Sequence, residues 1–234
     1  MAGFRRRLAL PWAAPLYVGA VQLGAYATAR LPRERRAEVL RAQSTNVANL
    51  RAGRRQTLVT SAAFVEEPLP AAYGAALLAT LATAEASWGT VRAAGVFAGG
   101  HIGASLLVYA GLRGLGHGAV RGKGDEPSDG TARAIDVGAS YGFHATLGAL
   151  AAAVPHRGAR TAATAGLLAL GIRPVLRRQR TFTDAGHLTA LALGVAMGTG
   201  IRTGGVRTGG IPKAGWRTAG KRAAGIRTGG IPRA

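Results

Sequence analysis

At 234 residues the chain has the length of one domain, but 48% hydrophobic and 17% charged residues with 36 glycines fit a small membrane bundle better than a soluble domain. The absence of cysteine excludes disulfides, thiolate metal sites and a cysteine nucleophile, so any chemistry must come from oxygen and nitrogen. A net charge of +20 would suit nucleic acid, yet the basic residues sit between apolar segments and in the tail, which reads as membrane flanking.

In chain order, Phe4-Arg5-Arg6-Arg7 precedes an apolar run over residues 8–29. It is too long for a signal peptide, lacks a small-residue cleavage site, and is expected to be the first membrane helix. Residues 30–67 are too charged to span and form a long first loop, expected to be partly helical over 33–50. Apolar stretches over 70–87, 93–112, 137–154, 161–172 and 185–201 complete six expected crossings, at roughly 20 residues per span. The fifth is the shortest, held between Arg160 and Arg173, and relies on those side chains snorkelling.

Residues 1–200 thus read as an all-α membrane domain, and 201–234 as a tail built on the pentad Ile-Arg-Thr-Gly-Gly. So Gly-rich and basic a segment cannot bury a core and is expected to be disordered, attracted to anionic lipid head groups rather than to nucleic acid. Lys and Arg divide almost evenly between alternate loops, so charge alone does not orient the bundle; the tail tips both ends toward the cytoplasm.

Two stretches carry a polar residue of catalytic type: Ser140 in Asp136-Val137-Gly138-Ala139-Ser140-Tyr141-Gly142, and His187 in Asp184-Ala185-Gly186-His187-Leu188-Thr189-Ala190. A hydroxyl and an imidazole at membrane depth are costly to keep and point to function. Two crossings separate these helices, so both start from the same face. Counted from Asp136 and Asp184, each side chain is expected roughly 5 to 6 Å into its helix. Gly138, Ala139 and Gly142 on one helix, with Gly186, Ala190 and Gly194 on the other, allow the close approach a hydrogen bond needs. A serine oxygen is a weak nucleophile until a base takes its proton, and a neutral imidazole is the usual base.

On these residues the chain resembles the rhomboid family of intramembrane serine proteases, whose fourth helix carries Gly-x-Ser-Gly and whose sixth carries Ala-His-x-x-Gly. Ser140 and His187 fall on the two catalytic positions. Thr60-Ser61-Ala62-Ala63-Phe64 is similar to the segment leading into the second rhomboid helix, and Ala84-Glu85 with Gly89 to its end. The resemblance covers roughly residues 8–200 and is strongest to rhomboid-like membrane proteins of high-GC bacteria. It implies a six-helix bundle with His144 packed on the catalytic histidine. The chain departs from the pattern where rhomboids carry His-x-x-x-Asn for oxyanion binding, since Leu69-Pro70-Ala71-Ala72-Tyr73 has neither residue, and Tyr141 replaces the glycine after the nucleophile. His101 and the Ser44-Thr45-Asn46 loop are candidate substitutes, and Gly138, Tyr141, His144 and His101 are candidate site-shaping residues.

Other readings stay open. Ser140 alone reads as a packing serine, and His187 alone as a buried histidine bonded to a carbonyl. His101, His144 and His187 could form a three-histidine metal site of a transporter, although their spacing is no metal signature. Glu85 is expected to cap a helix or pair with Arg92, and Asp136 and Asp184 to stabilise helix N-termini. No cofactor or metal is expected. The function that follows is a multi-pass cell-membrane protein that either cleaves transmembrane substrates with a Ser140–His187 dyad or, as a proteolytically inactive relative, binds client transmembrane helices.

Overall fold

The computed structural model describes residues 10–118, 135–177 and 181–207, and among these every regular element is helical. Six longer helices overlap the six apolar stretches: α1 (Ala13–Ala29), α5 (Ala71–Trp88), α6 (Thr90–Gly118), α7 (Ser140–Ala153), α8 (Arg157–Val175) and α9 (Phe182–Arg207). Three short helices, α2 (Arg33–Gln43), α3 (Val47–Arg51) and α4 (Thr57–Thr60), and a 3-10 turn (Ser61–Ala63) form the first loop. Among the described residues one segment, Thr90–Gly111 of α6, is both long and apolar enough to cross a bilayer by length and composition. The expectation for the tail from residue 208 lies outside the described residues, whereas the first pentad, Ile201 to Gly205, continues α9.

The helix ends explain where the elements stop. Glu85, at the end of α5 and only 6% exposed, accepts hydrogen bonds from the first amides of α1, Ala13 N at 3.1 Å and Ala14 N at 2.9 Å, and from Thr90 Oγ1 at 2.7 Å. A carboxylate here satisfies donors that α1 cannot pair internally and complements its dipole. Glu85 therefore caps a helix of another element instead of pairing with Arg92. Gly89 turns the chain between α5 and α6 with φ +82°, a conformation that favours glycine.

The partial helix expected over 33–50 forms as α2 and α3, parted at Ser44-Thr45-Asn46 because these side chains bond to backbone and to Ser61, an alternative to helical pairing. Asn46 Oδ1 accepts from Asn49 N at 2.8 Å, and the Asn49 amide donates to the carbonyls of Arg41 and Ser44, closing the end of α2. The fifth expected stretch is longer than its apolar core, 19 residues, and the Arg160 guanidinium reaches back past the start of α8 to donate to the carbonyls of Val154 and Pro155. Helix α9 opens on a reciprocal cap, with Thr181 N and Oγ1 donating to Asp184 Oδ2 and Asp184 N donating to Thr181 Oγ1.

The deepest packing is among α6, α7 and α9, where Ala104, Tyr141, Ala145 and Ala190 are buried together. A second cluster joins α1 to α5 through Ala14, Leu77 and Leu81 and reaches Ala139 at the start of α7. The first loop lies on this side of the bundle, with Ser44, Thr45, Thr57 and Ser61 all at most 1% exposed.

Candidate active site

Helices α7 and α9 approach closely enough for backbone to touch backbone. A methyl group on Gly194 would lie 2.6 Å from the Ala145 carbonyl carbon, and one on Gly198 would lie 2.7 Å from Ala149 Cα. Of the small residues expected to let these helices meet, Gly194 does so, whereas Gly138 precedes the helix, Gly142 faces Phe97 of α6, and the Tyr141 ring fills the space where a Gly186 side chain would be. Helix α7 begins at Ser140, not at 137, because Gly138 with φ +137° breaks the backbone ahead of it. Asp136 consequently stands in an extended lead-in segment, and only His187 has the depth expected from counting residues along a helix.

His144 Nδ1 donates to the Ser140 carbonyl at 2.8 Å, one turn along α7. Its ring lies flat against His187, with centroids 4.4 Å apart and planes 19° from parallel. Tyr141 meets His187 edge-on at 5.5 Å and stands 6.0 Å from His101, so the phenol separates the two imidazoles. Structure thus brings the rings of Tyr141, His144 and His187 into one contiguous group, which Ser140 touches through its backbone carbonyl. Among the described residues no hydrogen bond joins Ser140 to His187, and His187 Nε2 is buried without a partner. Tyr141 Oη, Ser105 Oγ and His101 Nδ1 are also buried and unpaired, and each such group costs about 1–3 kcal/mol in a dry interior.

His101 belongs to a separate network. Its Nε2 lies 2.9 Å from Ser61 Oγ, which lies 2.8 Å from Thr45 Oγ1, which lies 2.7 Å from the Thr57 carbonyl. A carbonyl only accepts, so Thr45 donates to Thr57, Ser61 donates to Thr45, and the Nε2–H of His101 donates to Ser61. Ser61 consequently faces an imidazole donor and not a base. Among the described residues no group of three or more His, Asp or Glu side chains could hold a metal ion, and Tyr141 stands between His101 and the other two histidines. On its far side His101 borders a largely apolar cavity of about 320 Å³ between α1, α4 and α6, lined also by Tyr17, Leu58, Ala94, Phe97 and Ala98.

Where rhomboids place His-x-x-x-Asn, the start of α5 offers apolar packing. Tyr73 packs edge-on to Phe143 of α7 at 5.6 Å, and Gln22 of α1 clamps the Leu69 backbone, donating to its carbonyl and accepting from its amide.

A family model for rhomboid-like proteins matches residues 9–205. The chain belongs to this family. Membership makes it a membrane protein, and the all-helical architecture fits a rhomboid-like bundle. No curated protein and no solved structure matches the rhomboid-like chain.

Sequence reasoning did not foresee the Thr45–Ser61–His101 relay or the role of Tyr109, whose hydroxyl bonds to the Thr45 carbonyl and, at 2.6 Å, to Asp136 Oδ2. A signal existed: Ser44-Thr45-Asn46 is a polar run with no charge, which is what a buried, mutually bonded loop requires.

Proposed function

We propose that the chain is a multi-pass rhomboid-like intramembrane serine protease of the cell membrane, with Ser140 as nucleophile and His187 as general base. The observation that supports this best is the stacking of His187 on His144, which itself bonds to the Ser140 carbonyl, across helices whose backbones touch. His187 would take the Ser140 proton as the hydroxyl attacks a peptide carbonyl of an unwound transmembrane substrate, and would return it to the leaving amine; water then releases the acyl group. Catalytic hydrogen bonds tighten on substrate binding, and the proposed role requires His187 to come within reach of the Ser140 hydroxyl at that stage. Gly138, Tyr141, His144 and His101 would shape the site. Lipid, including anionic head groups near the basic tail, is the medium and not the substrate.

A second reading is favoured by the aromatic packing of Tyr73 and Phe143 at the start of α5 and by the unbonded dyad. In it the same bundle holds client transmembrane helices without cutting them. A transmembrane peptide carrying a fluorophore and a quencher, reconstituted in vesicles with the protein, separates the two. Cleavage by the native protein but not by Ser140→Ala or His187→Ala supports the protease. Binding without cleavage supports the client holder, and cleavage undiminished in Ser140→Ala excludes the dyad.

A further inference from the structure

The segment leading into α7 is tied to the first loop by more bonds than a connection needs. Thr45 N donates to the Asp136 carbonyl at 3.1 Å, Asp136 N donates to Ser44 Oγ at 2.6 Å, and Gly138 N donates to the Ser61 carbonyl at 2.8 Å. At the centre stands the Asp136 carboxyl, 2.6 Å from the Tyr109 hydroxyl of α6, which also bonds to the Thr45 carbonyl.

Counting hydrogens decides the state of this cluster. Tyr109 carries one hydroxyl hydrogen and faces two oxygens, the Thr45 carbonyl and Asp136 Oδ2. A carbonyl and an ionised carboxylate both only accept, so with Asp136 ionised one of the two contacts has no hydrogen in it and becomes repulsive. With Asp136 protonated, its O–H donates to Tyr109 and Tyr109 donates to Thr45, and every contact is filled. Burial disfavours the charge more than the Tyr109 hydrogen bond favours it, and among the described residues the titratable groups facing Asp136 are Glu66 from the segment before α5, Tyr109 from α6 and Tyr141 from α7, none of them a cation. Ser44 and Thr45 meet it from the first loop without charge.

We propose that Asp136 acts as a neutral acid that pins the first loop to the segment preceding Ser140, and that its ionisation releases the loop and the backbone that positions Ser140. Asp136 is on this account a positioning residue, four residues from the candidate nucleophile and separated from it by Gly138, whose φ of +137° favours glycine. Its protonation state sets whether the lead-in to α7 is held or free. The device operates whether Ser140 cleaves a substrate or the bundle only holds a client, and so stands apart from the proposed activity.

Amide hydrogen exchange, followed by mass spectrometry in lipid nanodiscs and corrected for intrinsic rates, tests it. The peptides covering Thr45 and Gly138 should lose protection about tenfold as pH rises through about 6, the value to which burial raises the carboxyl. Asp136→Asn, which keeps a donor and an acceptor without charge, should stay protected at every pH, and Tyr109→Phe should remove the pH dependence. Helix content by circular dichroism confirms that each variant folds, and the infrared band of the neutral carboxyl, absent in Asp136→Asn, reports the proton directly. Protection independent of pH in the native protein, or a titration that survives in Asp136→Asn, overturns the proposal.

Discussion

Replacing Gly194 by alanine adds one methyl group at the tightest point of the α7–α9 contact. That methyl would stand 2.6 Å from the Ala145 carbonyl carbon and 2.8 Å from Ala145 Cα, whereas carbon atoms settle at ~3.5–4.0 Å, so the helices must part by about 1 Å. Overpacking of this kind costs ~1–3 kcal/mol, offset by up to ~1 kcal/mol of helix propensity, which leaves a net loss of about 1–2 kcal/mol. Because the obstacle is backbone, Ala145→Gly should give no rescue. Gly24→Ala in α1, where the methyl meets nothing within 4 Å, is the control and should be neutral or stabilising by ~0.5–1 kcal/mol. Unfolding of the nanodisc-embedded protein, followed by circular dichroism against temperature, measures both. His187 lies two turns from Gly194 on α9, and if the dyad is catalytic a 1 Å displacement lowers turnover by roughly 10²-fold. Equal unfolding midpoints for Gly194→Ala and the native protein would refute the close approach on which the site depends.

Glu85→Ala should destabilise by about 2–3 kcal/mol, because it strands the Ala13 and Ala14 amides, and exchange of these amides should quicken more than any others in α1. Ser61→Ala removes the centre of the Thr45–Ser61–His101 relay and should cost about 1–3 kcal/mol, with cleavage surviving in the stable fraction; complete loss of cleavage from a folded variant would place Ser61 in the chemistry. The folded carboxyl of Asp136, at about 6, lies above its ordinary 3.8, so the folded state holds the proton more tightly than the unfolded one. Stability should therefore be greatest below the ordinary value and fall as pH rises through about 6, while Asp136→Asn shows no such slope in thermal midpoint. His144→Phe should keep the stack on His187 and retain most activity, whereas His144→Ala should lose it, as read by the same peptide cleavage assay.

The helix positions were legible because a long apolar stretch can do little else than form a helix: the runs over 70–87, 93–112 and 185–201 all fall within or close to observed helices. The pairing of α7 with α9 was legible in part, from Gly194 and Ala190, since small residues matter in a membrane mainly for what they let approach, whereas Ala145 and Ala149, which carry the α7 side of the contact, were not singled out. Boundaries set by single backbone conformations were not legible. Gly138 delays α7 by three residues, and nothing in an Ala- and Gly-rich run distinguishes a glycine at φ +137° from one inside a helix. The relay through His101 was hidden for a different reason: Thr45, Ser61 and His101 are scattered along the chain and meet only when the first loop folds back on α6. Glu85 reads in the sequence as a helix cap or a partner of Arg92, and it is a cap, but of the amides of α1, more than seventy residues away, which no local pattern reveals.

The most direct measurement is intact-mass analysis and peptide mapping after treating the nanodisc-embedded protein with a fluorophosphonate, which reacts only with a serine whose proton a base accepts. The account predicts one adduct, on Ser140, abolished in His187→Ala and preserved in Ser61→Ala. A folded protein that acquires no adduct, or one modified on Ser61 in place of Ser140, would contradict it.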